Sequence, residues 1–392
     1  MKIVFISNYI NHHQIPFSDH MYSRLGSDYC FVQTEPMEEE RVQMGWGVDV
    51  STIPYVLELS DNQAKVRQLI DEADVVVFGG NEHFELIHQR MDENKLTFIY
   101  SERIYKEGQW KFISPRGLVR KYKDYIKYRD KNVFLLCSGA YVASDFRLIH
   151  AFKNKMLKWG YFPPFISQDI DRIIEKREKQ IEKDGVVQLL WVGRMLEWKH
   201  PKCAVDVMSK LIEDGYKVHL TMLGSGPLHE EMKQYAEKSK LKQDITFVDG
   251  CKPMEVREYM NNASIYLFTS DYYEGWGAVL NEAMNSGCAV VGSYAAGATR
   301  FLIRDGYNGI TFNYKRYFEA YQAVRYLLDN KDVRMYLGRK AYDTIAYSWN
   351  AHIAAERLLT FCERFHETKR IAYEPEGIMS PAKAVRLGKP VS

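Results

Sequence analysis

Two acids separated by seven residues, Glu274 and Glu282, bracket the segment Thr269-Ser270-Asp271-Tyr272-Tyr273-Glu274-Gly275-Trp276-Gly277-Ala278-Val279-Leu280-Asn281-Glu282. Carboxylates accept hydrogen bonds from hydroxyl groups, and Gly275 and Gly277 between them let backbone N–H groups approach an anion closely. A second cluster, Gly193-Arg194-Met195-Leu196-Glu197-Trp198-Lys199, sets two cations five residues apart beside a glycine. Arg194 can grip phosphate oxygens with a bidentate fork, and Lys199 can meet a leaving group as a point charge. Both would stabilise charge that develops as a bond to phosphate breaks. Two glutamates on an exposed helix are ordinary, and their spacing alone matches often by chance. The cationic cluster adds the weight: together the two describe a diphosphate held by cations, with hydroxyl-bearing groups at its ends held by acids.

Each cluster follows a run that reads as a buried strand, Ser264-Ile265-Tyr266-Leu267-Phe268 before the acids and Val187-Gln188-Leu189-Leu190-Trp191-Val192 before the cations. A helix is expected after the first glutamate, because Ala278, Val279, Ala283 and Met284 fall on two neighbouring stripes and Gly287 offers a C-terminal stop. The glycines then occupy a strand-to-helix turn, where a helix N-terminus favours phosphate. With a rise of about 1.5 Å per residue, Glu282 is expected roughly 8 to 9 Å down the axis from that turn.

Together these segments resemble the retaining glycosyltransferases of the two-domain GT-B fold, specifically glycosyltransferase family 4. The resemblance is close from Val187 to Phe312. Besides the two clusters it runs through Met222-Leu223-Gly224-Ser225-Gly226-Pro227, Phe247-Val248-Asp249-Gly250 and Asp305-Gly306-Tyr307-Asn308-Gly309. The N-terminal half is similar only in outline. The resemblance implies that Arg194 and Lys199 meet a nucleotide diphosphate, that Glu274 holds donor-sugar hydroxyls and that Glu282 holds the ribose. Gly193 and the backbone of Gly275, Trp276 and Gly277 would line sugar and phosphate, and Cys251 and Lys252 would border the base. His200 stands where the family usually has glycine. The resemblance further implies front-face attack with retention of configuration, the leaving phosphate helping to take the acceptor proton. The nucleotide-sugar is then the co-substrate, UDP-linked by family frequency, with no cofactor and no obligate metal.

Length and composition agree with two domains: 392 residues exceed the size at which one core keeps growing, and 46% are hydrophobic. With 53 Lys plus Arg against 51 Asp plus Glu, the formal net charge of +2 argues against a dedicated nucleic-acid binder. Six cysteines without paired spacing read as reduced thiols and a cytoplasmic setting. No apolar run is long enough to span a bilayer, and the start reads as a strand rather than a signal segment. Strand-like runs alternate with helical ones, so the expected fold is α/β, two doubly wound Rossmann-like domains facing a central cleft. The expected division is a first, acceptor-side domain at 1–165, a charged connector at 166–186 and a nucleotide-sugar-binding domain at 187–345. A helix at 346–370 should pack back on the first domain, and a loosely ordered tail should cover 371–392. Asp169-Ile170-Asp171 superficially matches a metal-binding aspartate pair of another glycosyltransferase fold, but its place in the connector speaks against that role, and zinc-type spacings are absent.

Ligands of such sheets sit beyond the carboxyl ends of the strands. In the first domain this singles out His12 and His13, which could orient a hydroxyl or phosphate or simply be surface residues. It also singles out Glu102 and Arg103, which could touch donor or acceptor or form a surface ion pair. Between 103 and 131 ten cations face three acids. Leu118, Val119, Tyr122, Tyr125 and Ile126 form one helical stripe there, so 116–131 could lie on an anionic bilayer with Tyr122, Tyr125 and Tyr128 at the interface, or pack on the sheet with its lysines solvated. Docking would favour a lipid-linked acceptor and a peripheral place on the inner face of the plasma membrane. The leading expectation is an enzyme adding one sugar to a surface polysaccharide or lipid-linked glycan. The alternatives are a GT-B nucleotide-sugar epimerase or hydrolase, and a noncatalytic sugar-nucleotide or nucleic-acid binding module.

Overall fold

The structure, a computed structural model, describes residues 1–39, 42, 45 and 47–387. It comprises two compact units, Met1–Pro164 with Trp349–Arg386, and Phe165–Ser348 with Leu387. The first contains strands β1 (Ile3–Ser7), β2 (Tyr29–Gln33), β3 (Val56–Glu58), β4 (Val75–Gly79), β5 (Thr97–Ser101), β6 (Val133–Ser138) and β7 (Met156–Trp159). Between them lie helices α1 (Ile15–Leu25), α2 (Gln63–Glu72), α3 (His88–Asp92), α4 (Pro115–Asp124) and α5 (Val142–Leu148). The sheet order is β3-β2-β1-β4-β5-β6-β7, and every pairing is parallel. All five residues of β1 are buried, as a parallel strand covered on both faces requires.

The second unit contains α6 (Ile170–Asp184), β8 (Val187–Val192), α7 (Pro201–Glu213), β9 (Val218–Leu223), α8 (His229–Lys238), β10 (Ile245–Val248) and α9 (Pro253–Asn262). It continues with β11 (Ile265–Phe268), α10 (Val279–Asn285), β12 (Ala289–Ser293), α11 (Thr299–Leu302), β13 (Ile310–Phe312), α12 (Tyr317–Asp329) and α13 (Lys331–Tyr347). Its parallel order is β10-β9-β8-β11-β12-β13, so the strand order reverses between β8 and β11. Helix α14 (Ala351–Thr368) belongs to the first unit, where Phe361 packs edge-on against Phe98 and Phe134 at 5.5 and 5.2 Å.

Two expectations about the chain's organisation need correction. Residues 166–186 are not a connector: α6 is an integral helix of the second unit. Its charged residues are partly internal, because Arg177 is buried and donates to the carbonyls of Met260, Asn261, Ser286 and Gly287 at 2.6–2.9 Å. Glu178 meets Arg334 at 2.7 Å, both buried. Asp169 caps α6 by accepting from Arg172 N, and Asp171 pairs with Arg339, which gives both aspartates structural roles. The first unit repeats the arginine device, Arg90 donating to the carbonyls of Ile70, Ala73, Asp74 and Leu96.

The described part of 371–392 is not loosely ordered either. Ile378 and Met379 are fully buried. The backbone there bonds to edge strand β7 through Lys158 N to Ser380 O (2.8 Å), Met379 N to Lys158 O (2.9 Å) and Ala382 N to Met156 O (2.9 Å). Pairing of this kind is made by the backbone against an open edge and leaves no side-chain period to read.

Among the described residues no helix is long and apolar enough to cross a membrane. The basic stretch forms a shorter helix than expected, since α4 ends at Asp124 and a 3-10 turn, Ile126–Tyr128, follows. Tyr128 is buried, and half-buried Tyr125 packs edge-on against Phe84 and Phe146, so neither is an exposed interface side chain. Tyr122 does.

Candidate functional site

The loops after β8 and β11 flank the point where the second sheet reverses its strand order, the place where open α/β sheets bind ligands. Gly193 N donates to Leu223 O at 3.0 Å, and Met195 N donates to Ser225 O at 2.7 Å, so the loop after β8 lies backbone to backbone on the loop after β9. Only glycine permits that approach: a Cβ on Gly224 would stand 2.1 Å from Gly193 O, and one on Gly226 would stand 2.8 Å from Met195 N. Arg194 is exposed at the head of this loop, and the 3-10 turn Glu197–Lys199 carries the lysine inward.

Lys199 Nζ forms an ion pair with Glu274, both side chains nearly buried, and Ser270 Oγ donates to the same carboxylate oxygen at 3.0 Å. The two cationic and acidic clusters thus meet through Lys199 and Glu274. Their loops are also stitched by the backbone, Asp271 N to Trp198 O at 2.9 Å, and by Thr269 Oγ1 donating to Lys199 O at 2.6 Å. Trp191 Nε1 donates to Thr269 Oγ1 in turn. An ammonium can bind phosphate oxygens and a carboxylate can accept from hydroxyls, so the pair brings both capacities to one place.

Glu282 sits differently from the expectation. Helix α10 begins only at Val279 and has seven residues, so Glu282 lies in its first turn rather than well down an axis. With so short a helix, the N–H groups of the glycine loop and the two cations carry the anion-binding capacity, and the helix dipole adds little. Burial pushes the Glu282 carboxyl up, opposed by Arg257, whose Nε lies 3.9 Å away. Trp276 is buried and its Nε1 donates to Asn281 at 2.9 Å, so it offers a ligand only backbone, as do buried Gly275 and Gly277, the last at φ +94°. Half-buried Cys251 and exposed Lys252 follow edge strand β10, two strands away from β8.

Sequence reasoning missed Ser270, Thr269, Asp271, Arg257 and Tyr266. Tyr266 donates to Val192 O at 3.3 Å, and burial, with the charges of Glu282 and Glu274 adding to it, holds its phenol well above the usual range. The Ser and Thr lie inside the quoted motif, but short polar side chains at a strand end carry no pattern of their own.

In the first unit, His12 and His13 follow β1, half-buried, with rings 3.9 Å apart. The His13 ring stacks on Tyr161 at 6.0 Å and 12°, and Tyr161 OH donates to Glu102 at 2.5 Å, so His13 and Glu102 share one cluster. Lys106 pairs with Glu102 as well. Arg103 is a correction: it is 6% exposed and locked to Asp145 at 3.1 and 3.2 Å, so it braces α5 instead of facing a ligand.

The residues from 172 to 344 match the family model described as "Glycosyl transferases group 1". Over 262 residues the chain is 26% identical to an uncharacterized glycosyltransferase of Methanocaldococcus jannaschii, a match covering 66% of this chain and 60% of that relative's length. In structure it is similar to Anabaena HepE, solved with UDP, at a TM-score of 0.66 and 14% identity over 92% of this chain and 99% of HepE. HepE has also been solved with UDP-glucose. The lipopolysaccharide outer core galactosyltransferase WaaB is similar at a TM-score of 0.67 and 16% identity, over 94% of this chain and all (100%) of WaaB. These likenesses show a shared fold of two parallel-sheet, Rossmann-like domains. Residues 172–344, the greater part of the second unit, thus resemble the group 1 glycosyltransferases, within a chain that folds as two parallel-sheet, Rossmann-like domains.

Proposed function

We propose that this chain transfers a sugar from a nucleotide-sugar, UDP-linked by preference, to a hydroxyl acceptor with retention of configuration and without an obligate metal. The observation that carries the reading is the Lys199–Glu274 pair at the reversal point of the second sheet, with Arg194 on the adjoining loop. On this reading Arg194 and Lys199 hold the diphosphate, Glu274 the sugar hydroxyls and Glu282 the ribose. The bound UDP and UDP-glucose of the similar HepE support the donor class.

The test is a thermal-shift panel of nucleotide-sugars followed by product analysis with a labelled donor. One nucleotide-sugar at about 100 times its Kd should add roughly 2.7 kcal/mol to the stability of the folded chain. Labelled sugar should then appear in an acceptor-dependent product. Release of free sugar or an epimer without acceptor would point to the epimerase or hydrolase alternative, and binding without turnover to a noncatalytic module.

The acceptor proposed is a surface polysaccharide or a lipid-linked glycan, reached by peripheral docking on the cytoplasmic face of a membrane. Supporting this, Trp110, Ile113, Val119 and Tyr122 are 58–72% exposed within thirteen positions, while Lys111, Arg116, Arg120 and Lys123 are exposed beside them. Aromatic and aliphatic side chains ringed by cations suit an anionic lipid interface. Each exposed cation contributes about 1 kcal/mol at such a surface, so Arg116→Gln with Lys123→Gln should weaken binding to phosphatidylglycerol vesicles roughly thirtyfold. Unchanged cosedimentation would retire the docking surface and leave the transferase reading standing.

A further inference from the structure

His200 occupies a position that suits it poorly. Its backbone is left-handed, at φ +48° and ψ +52°, where a side chain is disfavoured, and it directly precedes Pro201, which biases the preceding residue toward extended geometry. It is the N-cap of α7, yet its side chain caps nothing. The imidazole goes elsewhere: Nε2 donates to Asp271 Oδ2 at 3.0 Å, and the ring lies 5.0 Å from that of Tyr314. Asp271 in turn shapes the approach to Glu274. Its Oδ1 accepts from Tyr273 N at 2.8 Å, and its carbonyl accepts from Glu274 N at 3.1 Å.

We infer that His200 is a positioning residue, a latch that ties the Lys199 loop to the Glu274 loop through Asp271. This rests on the transferase reading of that pair. The Lys199–Glu274 ion pair bridges the two loops, beside the Asp271 N to Trp198 O and Thr269 Oγ1 to Lys199 O bonds. When a donor arrives, the ammonium turns to phosphate and the carboxylate to hydroxyls, so that bridge is given up at the moment when both groups must stay in register. The His200–Asp271 bond uses neither group and persists; unlike the Asp271 N–Trp198 O and Thr269–Lys199 O bonds, it holds Asp271 by its carboxylate, which also accepts from Tyr273 N.

Two variants separate the latch from a merely structural role. His200→Gly removes the bond and relieves the backbone, so the protein should melt no lower than wild type. Its kcat should fall about tenfold with donor KM changed less than threefold, as expected when reacting groups lose register. His200→Asn tolerates the left-handed backbone and can donate to Asp271 from its amide, and it should keep at least about half of kcat. Amide hydrogen exchange gives a readout independent of turnover: in His200→Gly, segments 194–200 and 270–276 should exchange faster together, with the remainder of the second unit unchanged. Wild-type kcat or unaltered exchange in His200→Gly, or an Asn variant as slow as the Gly variant, would overturn the latch. Absence of turnover by the wild-type chain with every donor would instead overturn the transferase reading, with the exchange result still deciding the latch.

Discussion

Glu274→Gln is expected to lower sugar transfer at least about a hundredfold while the chain remains folded, because a neutral amide replaces the carboxylate held against Lys199. Glutamine fills the same space and can still accept from Ser270. What it cannot do is balance the ammonium, and Lys199 is too enclosed for water to take over fully. The folded state should therefore lose about 1–3 kcal/mol, the usual cost of leaving an enclosed polar partner unpaired. The companion variant Glu274→Gln with Lys199→Met distinguishes the two effects: stability should return and turnover should not. Lys199→Ala and Arg194→Ala should each slow transfer strongly, Arg194→Ala with little change in melting since its side chain is exposed. Initial rates with a labelled donor and melting midpoints measured on the same preparations check all of these. Wild-type turnover in Glu274→Gln, Lys199→Ala and Arg194→Ala would end the site assignment.

The second large effect is on stability. Arg177→Ala is expected to destabilise the second unit by about 3–5 kcal/mol, the range for removing one partner from a buried charged network. The guanidinium satisfies carbonyls of Met260 and Asn261 at the end of α9 and of Ser286 and Gly287 after α10, groups that a helix end leaves without internal partners. Alanine would remove a donor from each of four carbonyls, of which Met260 O keeps its bond from Ala263 N at 3.3 Å, and would leave a cavity between three helices. Arg177→Lys should recover only part of the loss, since one ammonium cannot reach carbonyls spread around a planar fork. Denaturant unfolding followed by fluorescence of Trp191 and Trp276, both buried in this unit, provides the measurement. A loss below about 1 kcal/mol would show that water replaces the arginine freely.

Much of this molecule is legible in the sequence because its signals are local. Runs such as Ile3–Ser7 and Val187–Val192 are apolar throughout since parallel strands are covered on both faces, and glycine with charge after such a run marks a strand-end loop. The short strands β3, β7 and β13 escape notice, having three or four residues each and mixed composition. Long-range partnerships escape entirely. Nothing near Arg177 announces carbonyls more than eighty positions away, so a helix rich in charge looks like a solvated connector. Arg103 looks like a ligand contact from its place after β5, and only the fold reveals that Asp145 claims it. The same holds for His200, whose oddity is visible as a residue type but whose partner Asp271 is not. In the candidate site, then, the residues proposed to touch the donor can be read from spacing, and those that hold them in place cannot.

The noncontiguous make-up of the first unit bears on how the polypeptide is made. While the ribosome is still synthesising Phe165–Ser348, the nascent N-terminal sheet has all its strands but lacks α14, and the aromatic face of Phe98 and Phe134 waits for Phe361 and Phe365. The second unit can close as soon as its own stretch is out, because it draws no described helix or strand from beyond Ser348. The first unit therefore completes its core only after the second has been synthesised, and its exposed aromatic face is the surface most open to misassembly in the interval.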